Sequence, residues 1–124
     1  KPAIALCQSD HEALLQLADR AATGNPAMAE RLFDELDRAR VLPDASLPAS
    51  VVRMGSRLTY RTDAGESRAV QLVYPAQADI EAGRISVLTP IGTALIGLAH
   101  GQSIDWRTVD GRVLVLTVQS VGPD

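Results

Sequence analysis

The segment Ile85-Ser86-Val87-Leu88-Thr89-Pro90-Ile91-Gly92-Thr93-Ala94-Leu95-Ile96-Gly97 constrains this chain more than any other stretch. Ile85 to Leu88 is a brief apolar run that reads as a buried strand, and Thr89 is a helix N-cap. Pro90 falls at the first helical position, where its missing N–H costs nothing, and Gly97 takes the left-handed exit from the helix. A strand therefore feeds directly into a short helix, so the chain must hold a sheet with that helix laid on one face.

Two helices precede this unit. Ser9-Asp10-His11-Glu12 has the spacing of a capping box, and Leu14, Leu15, Leu17, Ala18, Ala21 and Ala22 make one wide apolar face, which predicts a first helix over about Asp10–Ala22. Thr23-Gly24-Asn25-Pro26 supplies a helix-ending glycine, an N-cap and a first-turn proline, so a second helix begins at once. Its apolar positions are Met28, Ala29, Leu32, Phe33, Leu36 and Ala39, leaving Asp34, Glu35, Asp37, Arg38 and Arg40 for solvent. Two amphipathic helices on so short a connection form an antiparallel hairpin. At roughly 13 to 16 residues per arm it is about 20 to 24 Å long.

Pro43 and Pro48 end the helical pattern, and the period beyond them becomes strand-like. We divide the chain into a helical hairpin over 1–42, a linker over 43–48, and a second domain over 49–124, and residues 46–124 are expected to fold without the hairpin. In that domain Arg57 to Thr62 and Ser67 to Tyr74 flank an Asp63-Ala64-Gly65-Glu66 turn. Ile104 to Thr108 pairs with Arg112 to Val121 across Asp110-Gly111, and Pro75 to Gly83 is a loop. The fold class is α+β: a helical hairpin followed by a mostly antiparallel sheet with one short helix.

Composition removes several functions. At 46% hydrophobic the chain can bury a core, yet no apolar stretch approaches the roughly 20 residues of a bilayer span. Lys1 stands where an initiator Met is absent, which points to residues missing ahead of it, and a cytoplasmic protein with no membrane partner is expected. Residues 1–45 carry 5 basic and 8 acidic groups, while residues 46–124 carry 7 of each. Neither half has the basic excess of a phosphate-backbone binder, so direct nucleic-acid contact is not expected. Cys7 has no partner thiol and reads as a small buried side chain; His11 and His100 lack metal spacing and read as solvent-facing. The serines lack a His and acid arrangement, and Gly92 and Gly97 do not make a phosphate loop. No catalytic residue, metal ligand or cofactor site is predicted.

The strand-cap-helix segment resembles the Ile-Ser-x-x-Ser-Pro-Ile-Gly-x-Ala-Leu-Ile-Gly signature of the C-terminal domain of the Gre transcript cleavage factors. The likeness continues through Ala78-Asp79-Ile80 and Gly83-Arg84-Ile85-Ser86 to the last hairpin. Leu72-Val73-Tyr74-Pro75-Ala76, Val51-Val52-Arg53-Met54-Gly55-Ser56-Arg57, Leu36-Asp37-Arg38-Ala39 and Ser103-Ile104-Asp105-Trp106 are similar to one branch of that superfamily, the Rnk family of regulators of nucleoside diphosphate kinase.

This resemblance implies an FKBP-like C-terminal domain that docks on the rim of the RNA polymerase secondary channel while the hairpin points inward. It implies a polymerase-facing turn at Leu88, Thr89, Pro90 and Ile91. In Gre factors, acidic residues at the hairpin tip help hold a second magnesium ion for RNA hydrolysis. The tip here is Thr23-Gly24-Asn25, with no carboxylate; Asp19 and Glu30 stand farther back. Hard-cation chemistry needs oxygen ligands held at the metal, so transcript cleavage is not expected. Arg57 and Arg61 share one strand face, with Arg53 and Arg68 nearby, as a contact stripe for an acidic partner or as a solvated face. The leading expectation is a monomeric, non-enzymatic polymerase binder that competes with Gre factors. The alternatives are a cleavage factor using Asp19 and Glu30, a peptidyl-prolyl isomerase of the FKBP type, and an adaptor acting on nucleoside diphosphate kinase.

Overall fold

The computed structural model describes residues 2–107 and 110–122. An extended entry leads through strand β1 (Ala5–Cys7) into helix α1 (Gln8–Gly24), and helix α2 (Pro26–Arg38) returns to strand β2 (Arg40–Leu42). β1 and β2 pair in parallel, so the two ends of the hairpin are tied together at its base. These three-residue strands are too short to show any period in sequence. Tertiary contacts select them: Ala5 N–H donates to Gly97 O at 3.2 Å, and Arg40 N–H to Ile4 O at 2.9 Å.

The helix starts differ from the capping-box reading. α1 begins at Gln8, with Cys7 as an N-cap that offers no side-chain bond. Ser9 lies inside the helix and its N–H is taken by the Asp44 carboxylate at 3.0 Å, while Asp10 accepts the Met54 N–H at 3.0 Å. The orphan donor of the first turn is thus satisfied from far along the chain. At the other end Gly24 stays helical, and Asn25 makes the reversal and caps α2 by accepting the Met28 N–H at 3.4 Å. Pro26 occupies the first position of α2, as its missing N–H favours.

A five-stranded sheet follows, in the order β5-β4-β3-β7-β6. Its strands are β3 (Arg57–Thr62), β4 (Ser67–Val73), β5 (Arg84–Ser86), β6 (Ser103–Arg107) and β7 (Val113–Val121). All neighbours are antiparallel except β4 and β5, which confirms the α+β class with a mostly antiparallel sheet. β5 stops at Ser86, two residues before the expected Leu88, and the expected last residue of β6, Thr108, lies outside the described residues. The short helix α3 (Pro90–Leu95) packs between the inner sheet face and the hairpin base.

The core crosses the hairpin and the sheet. One cluster of buried side chains joins Leu14, Leu32 and Leu36 of the hairpin to Leu58, Leu72, Leu95, Ile96, Leu116 and Val118. A smaller cluster sets Cys7 against Leu47 and Val51, so the lone cysteine is the buried small side chain expected of it. Gly97 is the tightest seam: its φ is +82°, and a Cβ there would lie 2.9 Å from Ile4 Cβ. Only glycine lets the entry segment lie against the end of α3.

Two polar residues of the hairpin base are less exposed than their sequence context implied. Glu35 is buried, not solvated, and accepts bonds from Arg38 at 2.8 and 3.1 Å; Arg38 also donates to Pro2 O. His11 is half-buried, with Nε2 3.3 Å from Leu36 O, whereas His100 is exposed as expected. His11 reaches across to α2, and Arg38 joins Glu35 to the entry segment, contacts that helical periodicity does not reveal.

Candidate functional site

The turn from β5 into α3 is held by its own side chains. Thr89 Oγ1 accepts the Gly92 N–H at 3.0 Å and donates to Ser86 O at 2.7 Å. Thr93 Oγ1 donates to Val87 O at 2.7 Å, and Leu88 N–H donates to Ser86 Oγ at 3.0 Å. Gly92 permits the close approach, because a Cβ on it would stand 2.1 Å from Ser86 O. Leu88, Thr89, Pro90 and Ile91 are therefore gathered on one fixed turn, each half-buried, with Leu88 and Ile91 leaning on the core. Such a turn presents a proline and two aliphatic edges with little conformational entropy left to lose on binding.

The hairpin tip is a separate surface. Between Ala18 and Ala29 no side chain is buried, so the distal part of the hairpin stands clear of the body. From Ala18 to Gly24 the free length is only about 9 Å at the helical rise. Thr23, Gly24 and Asn25 are exposed, and the Asn25 side-chain oxygen is already used by Met28. Asp19 and Glu30 are exposed on different helices, behind the tip. No group of three or more His, Cys, Asp or Glu side chains is arranged to hold a metal among the described residues.

The base of the hairpin is where the sequence reading missed most. Asp10 in the first turn of α1 accepts the Met54 N–H, Asp44 of the linker accepts the Ser9 N–H, and Arg53 donates to Cys7 Sγ at 3.4 Å. Hydrogen bonds from Ser9 hold the Asp44 carboxyl below its ordinary range. Burial, and then the negative charge of Asp10, push the Tyr74 phenol up. These contacts fix the direction of the hairpin relative to the turn at Leu88–Ile91. Arg57 and Arg61 are exposed on the outer sheet face, one on each side of Thr59. Arg53 and Arg68 do not join them: Arg53 is at Cys7, and Arg68 is opposite Tyr60 and 3.8 Å from Glu66.

No helix among the described residues is long and apolar enough to cross a membrane. Residues 2–42 match the model of the Rnk N-terminus, and residues 47–123 match that of the C-terminal part of the transcription elongation factors GreA/GreB. The chain is 37% identical to the "Regulator of nucleoside diphosphate kinase" of Escherichia coli (strain K12), over 90% of this chain and 82% of that protein. It is 35% identical to the "Transcription elongation factor GreA" of Azorhizobium caulinodans, over 70% of this chain but only 56% of that longer protein. A solved structure described as a prokaryotic transcription elongation factor GreA/GreB from Nitrosomonas europaea superposes with a TM-score of 0.77 at 35% identity, covering 99% of this chain and 100% of that one. The chain belongs to the Rnk family, in which a short N-terminal helical hairpin is carried by a C-terminal domain of the GreA/GreB type.

Proposed function

We propose that this protein is a cytoplasmic, monomeric transcription regulator that docks on RNA polymerase at the rim of the secondary channel. The turn at Leu88, Thr89, Pro90 and Ile91 makes the contact. The hairpin enters the channel without stimulating transcript cleavage, so the protein competes with Gre-type factors and is not itself an enzyme. The observation that carries this reading is the tip: Thr23, Gly24 and Asn25 bring no carboxylate, and Asp19 and Glu30 stay behind them on separate helices. A second magnesium ion needs oxygen ligands converging at the reacting phosphate, and this tip has none to offer.

An isomerase reading has little support, because the hollow beside Tyr60 is lined by Val70, Ile85 and Ile80 with no second aromatic ring to grip a proline. The name of the E. coli relative favours a second reading, in which nucleoside diphosphate kinase is the regulated target. Binding of wild-type protein and Pro90→Ala to core polymerase and to purified kinase separates the two. We expect polymerase binding weakened about 5- to 30-fold by Pro90→Ala, corresponding to one well-placed contact of about 1 to 2 kcal/mol, with the melting temperature unchanged. Equal polymerase affinity in the two proteins moves the docking surface elsewhere, and wild-type binding to the kinase alone favours the second reading.

A further inference from the structure

The sheet has a second face, turned away from α3, on which Val73 of β4 is buried while Arg57 and Arg61 of β3 are exposed. Arg57, Thr59 and Arg61 of β3 alternate with the buried Leu58, Tyr60 and Thr62, so their side chains share that outer face. At the ordinary strand rise the two arginines are about 14 Å apart. Both are exposed, and neither has an ion-pair partner among the described residues. Beside them is a hollow of about 290 Å³ with Thr59, Ala69 and Gly83 in its floor and Arg57, Gln71 and Arg84 around it.

The donors available in this hollow decide what it can take. Gly122 N–H is spent on Arg57 O at 2.6 Å, and Gly83 N–H on Ile80 O at 3.0 Å. Phosphate sites characteristically offer free backbone N–H groups, which these two positions lack. The aromatic side chains of the neighbouring strands, Tyr60 and Trp106, lie in register with the inner face, so bases have no stacking platform here. What remains is guanidinium and hydroxyl: the pairing chemistry of carboxylates, which arginine meets with two parallel hydrogen bonds. Asp79 stands at the rim, 3.4 Å from Arg84, while Asp63, which accepts the Val115 N–H at 3.2 Å, and Asp105, opposite Val115, lie farther along the sheet; the cations beside the hollow with no ion-pair partner among the described residues are Arg57 and Arg61.

We infer that the outer sheet face around Arg57 and Arg61 is a second docking surface, for an extended acidic polypeptide segment. Because it lies on the side of the sheet opposite α3, a segment bound there leaves the turn at Leu88–Ile91 free. The protein then connects two partners at once.

The test uses the isotope-labelled full chain, titrated by NMR with an acetylated peptide of alternating Glu and Ala. The Gln-for-Glu peptide and a thymidine oligonucleotide are titrated in parallel. The Glu peptide is expected to shift the amide signals of Arg57, Thr59, Arg61 and Gln71, with an affinity that falls as salt is raised. Arg57→Glu/Arg61→Glu should weaken it at least about tenfold, Arg57→Gln/Arg61→Gln by less, and Pro90→Ala not at all. Equal binding of the Gln peptide overturns the inference, as do unchanged affinity in the doubly reversed variant and an absence of shifts on this face. Tighter binding of the oligonucleotide than of the Glu peptide overturns it too, in favour of nucleic acid.

Discussion

Replacing Gly92 by alanine should disable the turn that the proposed docking depends on. A Cβ at this position would lie 2.1 Å from Ser86 O, whereas ordinary contact begins at 3.4 Å, so α3 must retreat from β5 by about 1.3 Å. The same movement stretches the Thr89 Oγ1 to Ser86 O and Thr93 Oγ1 to Val87 O bonds, each 2.7 Å, to beyond hydrogen-bonding distance. Two lost bonds at about 1 kcal/mol each, with overpacking of a further 1 kcal/mol or more, give a loss of about 3 kcal/mol. For a chain of this length that is a fall in melting temperature of about 10 °C. Gly24→Ala is the matched control, since its Cβ meets nothing within 4 Å in a helical conformation. That change should stabilise by about 0.5 kcal/mol. Urea denaturation of both variants measures the pair. A Gly92→Ala protein within about 1 kcal/mol of wild type would show that α3 is not locked onto β5 as described.

Two further outcomes follow from the packing. Contrary to the expectation from sequence, residues 46–124 made alone lose Ile4, Leu6, Leu14, Leu32 and Leu36 from a core shared with the hairpin and should fail to fold; dispersed amide signals from that fragment would show that the sheet closes a core by itself. The only two tyrosines, Tyr60 and Tyr74, should ionise above their ordinary value of 10.0, Tyr60 mainly through burial and Tyr74 through burial and then Asp10. Their contribution to stability is therefore complete below pH 10 and is lost as pH rises through the folded-state values; an ultraviolet titration with both midpoints at or below 10 contradicts this.

The parts of this molecule that were legible in sequence are those whose causes are local. Thr89, Pro90 and Gly97 mark the start and end of α3 because cap, ring and left-handed exit act within one turn. Asn25 and Pro26 mark the hairpin reversal in the same way. The absence of acid at the tip needs no structure at all. What stayed hidden depends on partners distant in the chain: Asp44 caps α1 across 35 residues, displacing the Ser9 capping box, and Arg38, which pairs with the buried Glu35 one turn away, is held to Pro2 O across 36 residues. The paired strands β1 and β2 have too few residues to show alternation. Gly92 did carry a signal, a glycine inside a short helix, but its neighbour Ser86 became visible only when the strand was set beside it.

The central claim, occupancy of the polymerase without catalysis, is tested most directly on a stalled, backtracked elongation complex with a labelled transcript. The complex is incubated with this protein alone and then with a Gre factor at increasing concentrations of this protein. Full-length RNA is expected in the first reaction and progressive loss of Gre-dependent cleavage in the second. Shortened RNA in the first reaction, abolished by Asp19→Ala or Glu30→Ala, would contradict it by giving the set-back carboxylates a catalytic role, and undiminished Gre cleavage at saturating protein would remove the competition.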